Sequence, residues 1–552
     1  AVNITQKFAG GFAGTVDEEG VIAQLRGLTK LKAIALDTVV YPRRTRSASL
    51  DSDLRKYLGA GSTDYAAASA YLSGNPREGA RIELQDSVGF FNDDEARIEA
   101  TLRALSPDDL KSLAADPAIR DDVGDALGGT DKEVFDALLA GDHAKADALR
   151  MRDKIDEARV DGNADAVHQA IEEYTAAPGE DDWRSTQEMT ADQRREAVVK
   201  ALGGVIREEQ AKHGGPVPEM SDQDRAIAYV TRDIEVCVGE GETVTRSITG
   251  ANKDLAVALL QHGENSVEAR AARLGVEMQR TGDPPSAKNI DRAVFDDRFT
   301  PDSPDATPEQ RAANEEARKE ARKDKARMLL LAAQYAHPEG QAAPPAADHK
   351  TVMDPAFQPD SKQVDAARSS LIAGLRGRFG SDTLGADLAE GLLTDDRPSP
   401  KTASLAMQHA MYSHLGTDEE LLFRFTERMT SDEIADMRAQ FKQDTGDSLD
   451  AELGTFGEGG TFTELSGDDR LRMERALLGV ARTDAEKLRN AAFAIEQQRR
   501  ETGSFGKFLA QGTLAERVMD NTSAQLEALA GGPIAISRRG EIVSKLPNFD
   551  DK

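Results

Sequence analysis

The fold is decided by residues 403–479, which read ASLAMQHAMYSHLGTDEELLFRFTERMTSDEIADMRAQFKQDTGDSLDAELGTFGEGGTFTELSGDDRLRMERALLG. Short runs with the apolar period of an α-helix alternate here with residues that begin or end helices. Thr430 and Glu433 form a capping box, because the hydroxyl and the carboxylate each accept a hydrogen bond from a backbone N–H that has no helical partner. Gly446 then ends that helix. The pattern predicts five short helices in one unit: Leu405–Met411, a run opened by Glu419 and Glu420, the run capped by Thr430, Leu449–Leu453, and a run capped by Ser466-Gly467-Asp468 that ends at Gly479.

Three segments of this stretch carry a family pattern: Gly416-Thr417-Asp418-Glu419-Glu420 after a short helix, Phe441 with Gly446, Leu449 and Leu453, and Glu464-Leu465-Ser466-Gly467-Asp468 before a last apolar helix. In these segments, and in the order and lengths of its helices, the stretch resembles an annexin repeat. The link between the fourth and fifth helices, Gly454–Thr463, is longer than in that family. The resemblance implies that the five helices pack as one repeat of a larger stack.

An internal repeat is also visible at the junctions between successive units. The common pattern of the junctions is A-L-L-x-G, a short polar break, an Ala-rich helix, a turn and an apolar helix. We expect the leucine pair to be the buried end of one helix and the following Gly or Asp to end it, so that neighbouring units share a core. The junctions lie at residues 66–100, 133–171, 254–294, 387–425 and 471–497, and the leucine pairs are Leu138-Leu139, Leu259-Leu260, Leu392-Leu393 and Leu477-Leu478.

Together these patterns predict an all-α fold, a curved stack of about five annexin-like five-helix repeats with repeats three and four enlarged by insertions. In repeat three the insertions are two helices, Thr190–His213 and Met220–Val238. In repeat four they are a charged helix, Pro308–Tyr335, and a Pro-rich loop, Gly340–Pro359. The predicted segments are 1–74 (repeat one), 75–141 (repeat two), 142–263 (repeat three), 264–395 (repeat four), 396–479 (repeat five) and 480–552, a C-terminal helix (Thr483–Thr502) and tail that can be read as an incomplete repeat.

The composition restricts the partners and the compartment. A formal net charge of -29 repels nucleic acid and bare anionic membrane, so either partner would need a cation bridge or a local basic face. We therefore expect no nucleic-acid partner. The single cysteine, Cys237, excludes an internal disulfide framework and a multi-Cys metal site. No apolar run is long enough to span a bilayer, so we expect a soluble protein, cytoplasmic before release or secreted. Because the chain begins at Ala1 rather than at Met, we expect it to be processed or a fragment.

The annexin resemblance implies a candidate calcium site in repeat five. In that family, backbone carbonyls of the turn before Gly-Thr and a carboxylate near the fifth helix bind the ion, which then bridges to lipid phosphate. On this sequence the carbonyls are those of Tyr412, His414 and Gly416, and the carboxylate is that of Glu464. His414 stands where the family prefers glycine. The alternative is that Asp418 with Thr417 only caps a helix and that Glu464 is a solvated acid. The other repeats lack one or both halves of the pattern, so no multi-site membrane face is expected.

Two further features are candidate sites. The mixed run Glu315–Lys325 spaces Glu and Lys at i,i+3 and i,i+4, which is typical of an exposed, solvated helix. A lipid or nucleic-acid patch is the alternative interpretation. The eight histidines show no metal-binding spacing. No motif of a known catalytic class is present, so no catalytic residue or organic cofactor is predicted.

The sequence therefore predicts a non-enzymatic binding or scaffold module. Degenerate annexin-like repeats of this composition are similar to segments of large bacterial proteins linked to secreted toxins or contractile injection systems. That resemblance implies a protein partner or a secretion assembly. One alternative is calcium-dependent binding to an anionic phospholipid membrane. A second alternative is a toxin enzyme whose active part lies in the enlarged repeats three and four.

Overall fold

The fold is all-α, apart from one two-stranded hairpin. The computed structural model describes residues 17–493, except 27, 29, 43–48, 89–93, 177–188, 213–217, 233, 238–242, 247, 281–282, 337–348, 355, 414–416, 458–463, 466, 484–485, 488 and 491–492. The chain divides into two compact units. The first contains the described residues up to Ile248 together with Leu259–Gly263, and the second contains Thr249–Ala258 and the described residues from Glu264 onward. The prediction of an all-α protein is confirmed, whereas the stack of repeats stays a prediction.

The first unit is built from short helices followed by longer ones. Two of the early helices, α2 and α3, continue into single π-helical turns, Leu36–Val40 and Arg55–Gly59. The helices are α1 Glu18–Ala23, α2 Lys30–Ala35, α3 Leu50–Leu54, α4 Thr63–Leu72, α5 Pro76–Asp86, α6 Glu95–Arg103, α7 Pro107–Ala114, α8 Gly124–Ala126, α9 Gly129–Leu139, α10 His143–Val160, α11 Ala164–Thr175, α12 Ala191–Lys212 and α13 Asp222–Thr231.

The second unit continues in the same way, after helix α14, Gly250–His262, which is divided between the two units. A long charged helix, α17, is its largest element and confirms the predicted helix of repeat four. The remaining helices are α15 Val267–Gln279, α16 Ala287–Val294, α17 Pro308–Ala332, α18 His349–Met353, α19 Ser361–Phe379, α20 Thr383–Thr394, α21 Pro400–Tyr412, α22 Glu419–Thr426, α23 Ser431–Thr445, α24 Leu449–Leu453 and α25 Gly467–Ala476.

The five helices predicted in residues 403–479 are confirmed as α21 to α25. The capping box is present, since the Thr430 hydroxyl accepts from the Glu433 N–H and the Glu433 carboxylate accepts from the Thr430 N–H. Gly446 ends α23 in the left-handed conformation, with φ 88°. The predicted cap residue Ser466 lies outside the described residues.

The junctions carry the leucine pairs where the sequence predicts them. Each pair lies within the last turn of a helix or directly after it, and no leucine of the four pairs is more than 6% exposed. Gly141, Gly263 and Gly479 follow three of the pairs with positive φ, and Asp395 ends the helix at the fourth. At Gly479 a Cβ atom would lie 2.3 Å from the Ser431 nitrogen, so close approach as well as the turn requires glycine here.

Two predicted elements are wrong in part. The helix predicted over Met220–Val238 ends at Thr231, because the next residues form strand β1, Ile234–Cys237, paired antiparallel with β2, Thr243–Arg246. Ile234 and Val236 are β-branched residues at alternate positions, which favours a strand. The other helix of this insertion, predicted over Thr190–His213, is confirmed as α12.

The Pro-rich loop predicted over Gly340–Pro359 is interrupted by helix α18, His349–Met353, which buries Val352. The sequence pattern does not predict this helix, because it is only five residues long and its two apolar residues, Val352 and Met353, are adjacent and show no helical period. The predicted C-terminal helix Thr483–Thr502 lies largely outside the described residues.

Each unit buries its own apolar side chains. In the first unit, one cluster runs from Val21 to Leu72 and another from Ala80 to Leu149 with Val205. In the second unit, a cluster runs from Ala271 to Phe493. None of the helices in the described segments is both long enough and apolar enough to cross a bilayer.

Lys325 is a buried cation in helix α17, although the sequence predicted a solvated run there. Its side chain is inside the second unit, and its ammonium group donates to the carbonyl of Asp395 at the end of α20. Burial lowers the pKa of Lys325 to about 8, against the opposing charge of Asp396. The positive charges of Arg368 and Arg270 contribute to this downward shift.

The pH dependence of stability tests this burial. Because the folded-state pKa of about 8 lies below the value of 10.5 for a free lysine, the unfolded state binds one more proton between these pH values. We therefore expect the free energy of unfolding of the wild type, relative to Lys325→Met, to rise by about 3 kcal/mol from pH 7 to pH 10.5. Denaturant unfolding followed by circular dichroism measures it. An equal pH dependence in Lys325→Met and the wild type would contradict the burial; the exposed Lys319→Met is the control.

Candidate functional site

The candidate calcium site is formed by the turn after α21 and by the segment before α25. Tyr412 is the last residue of α21 and is 46% exposed. Glu464 is half-buried, and its N–H donates to the Glu452 carbonyl at 3.0 Å, which fixes it beside α24. His414 and Gly416 lie outside the described residues, so two of the four predicted ligands have no described position.

The structure brings the turn and the acidic residue together. The Thr417 hydroxyl donates a hydrogen bond to the Glu464 carboxylate, across 47 residues of sequence. The Asp418 N–H donates to the Ala410 carbonyl at 2.9 Å, and the Asp418 carboxylate caps α22 by accepting from the Leu421 N–H at 3.0 Å. Asp418 is therefore a helix cap, as the alternative interpretation of the sequence predicts, and the Glu464 carboxylate lies at Thr417. The calcium site itself stays a prediction.

The surroundings of Tyr412 are strongly negative. Its hydroxyl interacts with the carboxylate of Glu452, and the charges of Asp447 and Glu464 also act on it. Partial burial, together with the charges of Glu452 and Asp447, raises the pKa of Tyr412 to about 12. Such a concentration of carboxylates favours a bound cation.

The donor atoms fit calcium better than a transition metal. Calcium takes oxygen ligands, and the Glu464 carboxylate and the carbonyl of Tyr412 supply oxygen only. Across the described ranges, no group of three or more His, Cys, Asp or Glu side chains is arranged to hold a metal ion. A site here would therefore depend on backbone carbonyls, those of Tyr412, His414 and Gly416, with Glu464 as its carboxylate.

The mixed run on α17 is held in ion pairs. Lys319 bonds Glu316 at 3.3 Å and Lys323 bonds Glu320 at 2.9 Å, each one helical turn away. These pairs agree with the solvated helix face that the spacing predicts, with the exception of the buried Lys325.

A cavity of about 360 Å³ lies in the first unit between α9, α10 and α12. Its apolar wall includes Leu149 and Val205, and carboxylates surround it. The carboxylates are paired with cations: Lys145 bonds Glu208 at 2.9 Å, Lys212 bonds Glu133 at 3.5 Å, and Arg152 bonds Glu209. A catalytic acid and base need two carboxylates whose environments give them different pKa values. Here Glu133, Glu208 and Glu209 share one kind of environment, since each is in an ion pair with Lys or Arg. An enzymatic site in the enlarged repeats stays a prediction.

Three buried carboxylates were not predicted from the sequence. Two of them lie in the first unit and one in the second, and each joins elements within its own unit. In the first unit, Glu83 on α5 is inaccessible to solvent and accepts hydrogen bonds from Arg26, Arg97 and the Tyr71 hydroxyl. Burial next to this carboxylate raises the pKa of Tyr71 well above its usual value, so the phenol stays a donor. The contact ties the predicted repeat one, which contains Arg26, to the predicted repeat two.

The same arrangement recurs twice. In the first unit, Asp147 on α10 bonds Arg103 and Arg194, each at 2.8 Å. In the second unit, Asp291 on α16 bonds Arg424 at 3.0 Å and Arg428 at 2.9 Å. Asp147 and Asp291 are at most 1% exposed. Each carboxylate therefore meets an arginine from the neighbouring predicted repeat.

The signal for these carboxylates in the sequence is weak. Asp147 lies between Ala146 and Ala148, and Asp291 follows Ile290, on faces that the helical period assigns to the core. An acidic residue on an apolar helix face predicts a buried ion pair. The pattern does not identify the partner arginine, which lies up to 137 residues away.

No protein-family model and no curated protein matches this chain.

Proposed function

We propose that the chain is a non-enzymatic binding and scaffold module, part of or a carrier for a bacterial secreted toxin or a contractile injection system. The observation that supports it is that three buried carboxylates form ion pairs with arginines. Glu83, Asp147 and Asp291 are each held by arginines that join helices of neighbouring predicted repeats. A scaffold needs such fixed relations between its helices, whereas a catalytic carboxylate must reach its substrate.

The kind of partner follows from the resemblance stated above and from charge. A net charge of -29 disfavours nucleic acid and favours a protein partner with a basic surface. In this proposal the module is soluble and binds its partner in the cytoplasm before release, or after secretion.

Affinity capture from the producing bacterium tests this proposal. We expect a tagged chain to recover components of an injection system or a toxin, identified by quantitative mass spectrometry. Leu393→Asp is the control, because it places a charge at a fully buried position and disrupts the fold while the chain stays acidic. Recovery of the same proteins by Leu393→Asp, or of no toxin or assembly component by the wild type, would contradict the proposal.

A second candidate function is calcium-dependent binding to anionic phospholipid. The contact between Thr417 and Glu464 favours it, because it places an oxygen-ligand carboxylate at the turn that the annexin resemblance implies. Glu464 and the carbonyls of Tyr412, His414 and Gly416 would hold the ion. Calcium bound there would bridge these oxygens to a lipid phosphate.

Sedimentation with phosphatidylserine vesicles, with calcium or with EDTA, tests this second candidate. We expect calcium to promote binding and Glu464→Gln to reduce the affinity on the order of tenfold, because the substitution removes a charged ligand. Glu316→Gln, an exposed carboxylate on α17, is the matched control and should bind as the wild type does. Binding without any effect of calcium, or full calcium-dependent binding by Glu464→Gln, would exclude this site.

A further inference from the structure

The segment Lys30–Val40 exposes an apolar surface in the first unit. It contains helix α2 and the π-helical turn Leu36–Val40. Leu31 is 80% exposed, Ile34 44%, and Val39 and Val40 are both 42% exposed. These four are half of the large hydrophobic side chains that are exposed in the described part of the chain. Exposed apolar side chains concentrated in one short segment of this kind indicate a candidate interaction site.

The opposite side of the segment attaches it to the core. Ala33 and Tyr41 are fully buried, and the Tyr41 hydroxyl donates to the Asp53 carboxylate at 3.0 Å. A π-helix has more residues per turn than an α-helix. The spacing of the exposed apolar residues therefore changes along the segment, from Leu31 and Ile34 in the α-helix to Val39 and Val40 in the π-helical turn. The apolar side chains therefore lie on the outward side of an anchored element.

The charge of the same segment is opposite to that of the protein. Lys30 and Lys32 are exposed beside Leu31, in a chain of net charge -29. The acid in this segment, Asp37, accepts a hydrogen bond from the Asp51 N–H at 3.0 Å. The sequence continues with Arg43, Arg44 and Arg46, which lie outside the described residues.

We propose that the outward face of Lys30–Val40 binds an anionic lipid surface without calcium. Exposed apolar side chains with neighbouring lysines are typical of helices that lie in the bilayer interface, where apolar burial and attraction to anionic headgroups act together. Because salt screens charges beyond about 8 Å, the local lysines act on the headgroups while the distant acids act weakly. This contact is independent of Glu464 and of the protein partner proposed above.

Vesicle sedimentation in EDTA tests the proposal with the full chain. We expect the wild type to bind vesicles that contain phosphatidylserine, and to bind them less at high ionic strength. The double variant Leu31→Gln/Ile34→Gln should lose about tenfold or more in affinity, since two apolar side chains no longer enter the interface. Lys30→Gln/Lys32→Gln should lose on the order of tenfold and become less sensitive to salt.

Matched variants separate this face from general effects. Val160→Gln changes a similarly exposed apolar residue on α10, and Lys319→Gln/Lys323→Gln removes two exposed lysines of α17; both should bind as the wild type does. Circular dichroism checks that each variant is folded.

Three results would overturn the proposal: no binding of the wild type in EDTA, equal losses in the control variants, or a change of oligomeric state in Leu31→Gln/Ile34→Gln with vesicle binding intact. The last result would assign the face to contact between copies. Failure of the calcium site is distinguishable, because binding at Glu464 needs calcium and would survive Leu31→Gln.

Discussion

The fold depends on carboxylates that are buried and shared between arginines. A carboxylate inside a protein is strongly unfavourable unless it is paired, and removal of one partner leaves an uncompensated charge. Glu83, Asp147 and Asp291 each meet this requirement with two arginines that are distant in the sequence or lie in another element. Apolar packing contributes most of the stability, but it tolerates more than one arrangement of similar Ala- and Leu-rich helices. The pairing of Glu83, Asp147 and Asp291 therefore favours the helix arrangement in which these three carboxylates keep their arginines.

Charged side chains have different roles inside the units and on their surface. Inside the units, buried carboxylates form ion pairs with arginines, as Asp291 does. Outside, most of the surplus acid is solvated, and it gives the chain a field that repels polyanions. Two features of the described surface are candidates for binding. Carboxylates concentrate near Thr417 and Glu464, and lysines flank exposed apolar side chains in Lys30–Val40. Both are surface features carried by helices whose opposite sides pack in the cores, which is what a binding module requires.

Local signals predicted local structure well. The capping box of Thr430 and Glu433 and the glycine stop at Gly446 depend on neighbouring residues, so they could be predicted. The resemblance to a known repeat placed Glu464 near the turn that follows α21, but it did not predict the hydrogen bond from the Thr417 hydroxyl to the Glu464 carboxylate. Long-range choices could not be predicted. Lys325 belongs to a run that reads as solvated, and its burial depends on the end of α20 at Asp395. The strand at Ile234 was missed because its apolar positions also suit a buried helix.

The most direct test of the account is the free energy of unfolding of Asp291→Asn compared with that of Glu427→Gln. Asp291 is fully buried and bonds two arginines, whereas Glu427 is exposed and bonds Arg472 on the surface. The account predicts that Asp291→Asn lowers the free energy of unfolding by about 3 kcal/mol, because Arg424 and Arg428 lose their countercharge. It predicts a loss below about 1 kcal/mol for Glu427→Gln. Denaturant unfolding followed by circular dichroism, with hydrogen exchange of α22 as the local probe, measures both. Equal small losses for the two variants would contradict the claim that buried carboxylates hold the helices in place.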